Sequence, residues 1–97
     1  MIIVLVKYNC KEGNRDSFLG AIKERGIDVL CQKENGNIKY EYSFSTEDSD
    51  VLFLTEIWEN IDVLNAHWQT EHFKTLGELK DTYVDSTEIQ KFEAESL

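Results

Sequence analysis

Four segments of the chain have the apolar spacing of β-strands. Residues 2–8 are β-branched and apolar on both alternating faces, which predicts a strand that is covered on both sides. Residues 38–44 alternate cleanly between apolar and polar positions, and residues 51–58 are again apolar on both faces. The segment 87–92 is weakly patterned, which predicts a strand at the edge of a sheet.

The stretch between the first two strands has helical spacing. Asn14 is placed to cap this helix at its start. Its apolar stripe is formed by Phe18, Ile22 and Val29. Gly26 falls inside the pattern, which predicts a locally weak helix or a close packing contact there.

A second helical stretch follows the strand at 51–58. Asn60 is placed to cap it, and His67 lies at the edge of its apolar stripe. The stripe itself consists of three residues at helical spacing, Ile61, Leu64 and Trp68. Thr70 is placed to cap a further helix, and the apolar positions of that helix are Phe73, Leu76 and Leu79.

The order of these elements is β-α-β-β-α-β. It predicts an α+β fold of the ferredoxin-like type, formed by a single domain over residues 1–97. In such a fold the helices cover one face of the sheet only. Because residues 51–58 are apolar on both faces, the second face also needs a cover, and we expect a homodimer formed through it.

Composition and charge exclude several classes of partner. Ten Lys and Arg against nineteen Asp and Glu give a net charge of −9, which argues against binding to nucleic acid or an anionic membrane surface. No run reaches the ~20 apolar residues of a membrane helix, and the apolar start has no basic leader. Cys10 and Cys31 fit neither a disulfide framework nor a zinc cluster. We therefore expect a cytoplasmic protein with reduced thiols.

Common catalytic and metal-binding motifs are missing from the chain. It contains no GxGxxG, P-loop, HExxH or CxxC sequence. His67 and His72 are five residues apart, so on one continuous helix their side chains would point ~140° apart. This spacing predicts no metal site, and we expect His72 at the surface in the first turn of its helix.

The remaining candidate chemistry combines aromatic residues with a histidine. Trp58 ends the strand at 51–58 with Leu54 on the same face, and His67 lies on the next helix beside Leu64. A dry pocket with one imidazole and one indole N–H is suited to proton abstraction from a phenol-like or enolisable ligand. The indole would hold the developing oxyanion.

Each of these residues also has a purely structural interpretation. A tryptophan such as Trp58 is most often a large core or interface residue, and His67 is equally typical of a histidine at the edge of the core. Glu56 is unusual, because an unpaired buried carboxylate is costly. We expect it either to pair with a basic residue such as Lys7 or to lie in a solvated dimer seam. Tyr42 is expected to fill the apolar face of the sheet.

Three segments give the chain a family resemblance: Glu56-Ile57-Trp58-Glu59, Leu64-Asn65-Ala66-His67 and Thr70-Glu71-His72-Phe73-Lys74. With these segments, and over nearly its whole length, it resembles the antibiotic biosynthesis monooxygenase family of small dimeric α+β-barrel proteins. The resemblance implies a ferredoxin-like homodimer whose sheets pack face to face. It also implies a pocket between sheet and helices in each protomer.

The resemblance further implies an activity. Studied members oxidise quinols, anthrones and similar phenols with molecular oxygen and use neither flavin nor metal, so the implied partners are a small aromatic substrate and oxygen, with no cofactor. The substrate anion itself reduces oxygen, and the protein need only deprotonate it, hold it and exclude water. His67 would be the base and Trp58 an oxyanion donor or wall. The predicted substrate contacts are Tyr42, Leu54, Leu64, His72 and Phe73.

The chain departs from two branches of this family. Polyketide-type members carry an Asn and a Tyr where this chain has Leu54 and Leu64. Haem-degrading relatives use an Asn, a Trp and a His at positions that correspond here to Lys7, His67 and Gly77. Haem cleavage is therefore not expected.

Two alternative functions stay open at this point. One branch of the family isomerises a small phosphorylated signalling sugar, and this alternative requires Lys7, Lys39 or Lys74 to converge near His67. The other is a non-catalytic dimeric module for ligand binding or stress response. It would be favoured by a pocket that apolar side chains fill, with no polar group pointing inward.

Overall fold

Four antiparallel strands form a single sheet. The computed structural model describes residues 1–97, with strands at Ile2–Cys10 (β1), Asn37–Phe44 (β2), Val51–Trp58 (β3) and Val84–Glu93 (β4). Their order across the sheet is β2-β3-β1-β4, so β4 is an edge strand as predicted. All four predicted strands are present, and three of them are longer than predicted. The ferredoxin-like α+β prediction is confirmed.

Four helices pack on one face of this sheet. They run over Arg15–Glu24 (α1), Ile27–Gln32 (α2), Ile61–His67 (α3) and Glu71–Tyr83 (α4). None of the four has the length and apolar character that a membrane crossing requires. The core between the layers combines residues from β1 and β3 with residues from the helices, among them Val6, Phe18, Ile22, Leu52 and Leu64.

The first predicted helix is in fact two helices, because Gly26 interrupts it. Gly26 has a φ of 65°, in the left-handed region that favours glycine, and α2 starts directly after it in a new direction. Phe18 and Ile22 are fully buried as predicted. Val29 is 44% exposed, so the prediction that it shares their buried stripe was wrong. Asn14 does occupy the cap position, yet its side chain donates to the Glu12 carbonyl instead of capping the helix.

The second helical stretch begins as predicted and packs differently. Asn60 Oδ1 accepts from the Val63 N–H at 3.0 Å, and Thr70 Oγ1 accepts from the Phe73 N–H at 3.2 Å, which confirms both caps. Ile61, however, is largely exposed, whereas His67 is only 2% exposed. The buried stripe of α3 therefore includes His67 in the core, and its predicted place at the edge was wrong.

The two faces of the sheet differ in how they are covered. On β1, Val4, Val6 and Tyr8 face the helices and are buried, whereas Leu5 between them is 38% exposed. Phe53 pairs with Lys7 on the same outer face and is 36% exposed. The structure thus agrees with the prediction that strands β1 and β3 are apolar on both sides.

A glycine turn brings the chain between α2 and β2 close to α3. Gly36 has a φ of 83°, and its carbonyl accepts from the Glu59 N–H at 2.9 Å. A Cβ at this position would lie 2.7 Å from the Val63 side chain. Both the backbone conformation and the close approach therefore require glycine, and together they fix the position of residue 34 relative to α3.

Replacing Gly36 with Ala should lower the free energy of unfolding by ~2–5 kcal/mol, from left-handed strain and overpacking against Val63. Urea unfolding followed by circular dichroism measures the change. Gly20→Ala is the matched control, since Gly20 lies in α1 with nothing within 4 Å of its added Cβ. The control should be neutral or stabilising by up to ~1 kcal/mol. Equal effects at the two positions would contradict the close approach.

Candidate functional site

His67 lies at the last residue of α3 and turns its ring into the core. The ring stacks on Trp58 with centroids 4.6 Å apart, and Phe73 meets it edge-on at 5.2 Å. Leu64, one turn earlier on the helix, is fully buried beneath the same cluster. Aromatic packing on several sides fixes the plane of the imidazole, as a reactive group requires.

A carboxylate from a distant part of the chain joins the two histidines. Glu34 Oε2 lies 2.6 Å from His67 Nδ1 and 2.8 Å from His72 Nε2. The Glu34 side chain is only 14% exposed, so these contacts are shielded from water. A carboxylate accepts hydrogen bonds and does not donate them, so both imidazoles donate an N–H to the same oxygen.

The predicted surface position of His72 was wrong. Its side chain is only 15% exposed, and its ring centroid lies 6.1 Å from that of His67. The spacing argument assumed one continuous helix, but α3 ends at His67 and α4 begins at Glu71. The change of direction between the two helices turns both rings toward Glu34.

The bond to Glu34 determines which nitrogen of His67 is available. With the proton on Nδ1, the lone pair is on Nε2, which points toward Glu56 Oε1 at 3.8 Å. Burial lowers the pKa of His67, an effect that the Glu34 carboxylate partly offsets. The ring is therefore a neutral imidazole with one unprotonated nitrogen facing away from Glu34.

Glu56 lies on the helix-covered face of β3, and its predicted pairing with Lys7 was wrong. Lys7 is on the opposite face, where its Nζ lies 3.9 Å from Glu88. Glu56 Oε1 instead accepts the indole N–H of Trp58 at 3.0 Å. Burial raises the pKa of Glu56 to about 7, although the Trp58 hydrogen bond opposes this rise. Its position also excludes the alternative of a dimer seam on the bare face.

A cavity of about 410 Å³ opens beside His67 and Glu56, between the sheet and helix α4. Its size is within the range that small-molecule sites occupy. The walls are mostly apolar, with a few polar side chains among them. The lining residues are Val4, Val6, Tyr8, Tyr40, Glu56, His67, Trp68, Phe73, Leu76, Gly77, Lys80, Thr87, Ile89 and Lys91.

Of the residues predicted for the site, His67 and Phe73 line this cavity. Trp58 lies behind the His67 ring, fully buried, and reaches the cavity only through its bond to Glu56. Leu54 and Leu64 are core residues that form no part of the cavity wall.

The other two predicted contacts lie elsewhere. His72 is held on Glu34 and does not line the cavity. Tyr42 lines a separate depression of about 230 Å³, and its hydroxyl lies 3.3 Å from that of Tyr40. The tyrosines that line the cavity beside His67 are Tyr8 and Tyr40.

Three functional candidates could not be found from the sequence. Glu34 is 33 residues away from His67 along the chain. Lys80 and Lys91 stand at the cavity, on α4 and β4, and neither forms an ion pair. No local pattern marks these residues, because only the topology brings them to the same place.

The donor atoms that could hold a metal are Cys31 Sγ, Glu34 Oε, His67 Nδ1 and His72 Nε2. All four atoms lie within 4.8 Å of one another. The prediction that the two histidines are a poor metal pair is therefore corrected, since both side chains converge on one point. Burial raises the pKa of the Cys31 thiol to about 12.

A sequence model of the protein family described as antibiotic biosynthesis monooxygenase matches residues 1–79, which is most of the chain. The chain belongs to the antibiotic biosynthesis monooxygenase family. This family was expected from the segments around Trp58, His67 and Phe73. No curated protein matches the chain significantly.

Solved structures agree with the family fold. A conserved protein of unknown function from Bacteroides thetaiotaomicron, described as a possible oxidoreductase, is 31% identical over 96% of both chains, with a TM-score of 0.85. A conserved protein from Methanosarcina mazei is 26% identical over 97% of this chain and 92% of its own, with a TM-score of 0.87. A Nitrosomonas europaea protein, provisionally described as an antibiotic biosynthesis monooxygenase, has a TM-score of 0.87 at 19% identity, covering 97% and 98% of the chains.

The Glu34 bond should fix the His67 tautomer in solution. Nitrogen-15 NMR of the imidazoles should show the His67 proton on Nδ1 in the parent, because the carboxylate accepts it there. Glu34→Ala removes this acceptor, and the proton should move to Nε2. Glu47→Ala changes an exposed loop carboxylate and should leave the spectrum unaltered. A parent protein with the proton on Nε2 would contradict the geometry.

Proposed function

We propose that this chain is a cofactor-free monooxygenase that oxidises a small quinol-like or polycyclic phenolic substrate with molecular oxygen. The observation that carries this proposal is the arrangement of Glu34, His67 and the cavity. Glu34 binds one ring nitrogen of His67, and the other nitrogen is directed to the side of the cavity where Glu56 lies. A carboxylate that orients an imidazole is a recurrent arrangement for a general base.

His67 Nε2 would take the proton from a phenolic hydroxyl of the bound substrate. The charge that develops on the imidazole is stabilised by Glu34, which already accepts from Nδ1. Glu56 lies 3.8 Å from the same Nε2, at a position from which it can accept the proton in turn. Trp58 acts here as a positioning residue, because its indole N–H is already donated to Glu56 and is not free for an oxyanion.

The apolar walls of the cavity and Lys80 support the steps that follow proton abstraction. Val6, Leu76 and Phe73 give a surface that excludes water around an aromatic ring. Lys80 places a positive charge at the cavity, where it stabilises the phenolate that deprotonation leaves. The electron-rich anion then transfers electrons to oxygen. One oxygen atom enters the ring and the other leaves as water, so that a hydroquinone and O₂ give a hydroxyquinone and H₂O.

The criteria for the two alternatives are not met by the described geometry. Lys7, Lys39 and Lys74 do not line the cavity beside His67, whereas the sugar-isomerase alternative requires them there. The non-catalytic alternative requires an apolar filling without inward polar groups. The cavity instead holds about 410 Å³ of space with Glu56 and His67 in its wall.

Replacing His67 with Gln should reduce quinol-dependent oxygen uptake by ~10²–10⁴-fold, the usual contribution of a general base. An oxygen electrode with metal-stripped protein and a panel of hydroquinones and anthrones measures the rate. His72→Gln is the comparison, because His72 binds the same Glu34 oxygen but does not line the cavity. We expect it to lose less than about tenfold, since Glu34 still holds His67.

Circular dichroism of both variants shows whether the fold is intact. A folded His67→Gln protein as active as the parent would remove His67 from the mechanism. If no quinol or anthrone supports oxygen uptake by the parent, the proposed reaction itself is wrong.

We also propose that the chain forms a homodimer through the bare face of the sheet. The family resemblance implies sheets that pack face to face, and the exposed apolar residues of this face support it. Leu5, Phe53 and Phe92 are each more than one third exposed there. Burying such a face against a second copy is favourable by about 25 cal/mol for each Å² of apolar surface.

Phe53→Glu should convert the dimer to a monomer, because the dimer would bury the new charge without a partner. Sedimentation velocity at micromolar concentration measures the mass. Phe44→Glu is the matched control. Phe44 is 50% exposed, but it pairs with Leu52 of β3 and therefore lies on the helix-covered face, outside the proposed interface. A parent protein that sediments as a monomer would contradict the proposal.

A further inference from the structure

Cys31, Glu34, His67 and His72 form a compact set of donor atoms at the junction of three helices. Cys31 is the last buried residue of α2, His67 ends α3 and His72 lies in the first turn of α4. Their four donor atoms lie within 4.8 Å of one another. The oxidation proposed above uses Glu34 and His67 and leaves the Cys31 thiol and the second imidazole without a role.

We propose that these four side chains bind a divalent transition metal of the zinc class in a closed, four-coordinate site. One thiolate, two imidazoles and one carboxylate are the ligands that Zn²⁺ takes in proteins. Hard cations such as Mg²⁺ and Ca²⁺ are excluded by the same set, because they prefer oxygen ligands. The four side chains are buried or nearly so, which favours a site without an open position.

Small movements would complete the coordination. Tetrahedral zinc with bonds of ~2.0–2.3 Å separates its ligand atoms by roughly 3.3–3.8 Å. The donor atoms that are farthest apart must therefore move closer by about 1 Å. The distances from Glu34 Oε2 to the two imidazole nitrogens must lengthen by a similar amount. Each imidazole would shift its proton to the other ring nitrogen, which frees the lone pairs of His67 Nδ1 and His72 Nε2 for the metal. The Cys31 thiol would release its proton to solvent and bind as thiolate.

Metal binding would also prevent His67 from acting as a base, a consequence that depends on the proposed function. A metal on Nδ1 of a neutral imidazole leaves the ring proton on Nε2. That nitrogen then faces Glu56 as a donor and can no longer accept a substrate proton. The metal-bound and the catalytic forms of His67 exclude each other, so the metal would act as an inhibitor of the oxidation.

Titration of the metal-free protein with Co²⁺ tests the site directly. Tetrahedral cobalt gives intense visible bands, and a thiolate ligand adds a charge-transfer band in the near ultraviolet. We expect both in the parent at one equivalent, with zinc displacing the cobalt. Cys31→Ser should lose the near-ultraviolet band and weaken binding at least tenfold. Cys10→Ser is the matched control, because Cys10 is also a free buried cysteine but lies outside the cluster.

Glu34→Gln is a second variant that keeps the side-chain shape, and it should also weaken cobalt binding at least tenfold. A parent that gives no tetrahedral cobalt bands and retains no zinc after dialysis overturns the proposal. So does a Cys31→Ser protein that binds as tightly as the parent. Zinc should suppress oxygen uptake in the parent. Because the cobalt spectra need no substrate, a failure of the oxidation assay leaves the metal result unaffected, and the two proposals can fail separately.

Discussion

The shielded carboxylate of Glu34 is the constraint on which the site depends. It lies between two imidazoles that come from different helices, and its oxygen is 2.6 Å and 2.8 Å from their nitrogens. A carboxylate held away from water is costly unless it is hydrogen-bonded, so its two donors must both be present in the folded state. This requirement joins the ends of α2, α3 and α4 at one point. It also fixes the ring of His67, which forms part of the cavity wall.

Local sequence rules predicted the framework of this arrangement correctly. Asn60 and Thr70 were recognised as caps because their side chains act on backbone groups three residues away. The strands were recognised because their apolar spacing is a local property. The same rules failed at Gly26, where one helix was predicted and the chain changes direction, and the spacing argument for His67 and His72 treated them as if on one helix although the Thr70 cap already separates two. The failure at the two histidines concealed their convergence.

The site itself depends on contacts that no local rule can reveal. Glu34 and His67 are 33 residues apart, and only the turn at Gly36 brings them together. The position of Glu56 illustrates a second kind of difficulty. The sequence placed Glu56 on the correct face of its strand. It could not show that the indole N–H of Trp58, two residues further on, would donate a hydrogen bond to the carboxylate. The general class of site, an aromatic pocket with a histidine, was therefore predictable, while its hydrogen-bond network was not.

The two lysines at the cavity belong to a chain with a net charge of −9. At physiological ionic strength the field of that charge fades over about 8 Å, so beyond this distance a ligand experiences little of it. Closer in, the surplus of carboxylates repels anions from most of the surface, whereas Lys80 and Lys91 attract them at the cavity. A neutral phenol would thus enter without electrostatic guidance and become an anion only inside. Once formed there, that anion would be retained by the two lysines of the cavity wall, while the acidic exterior opposes its escape.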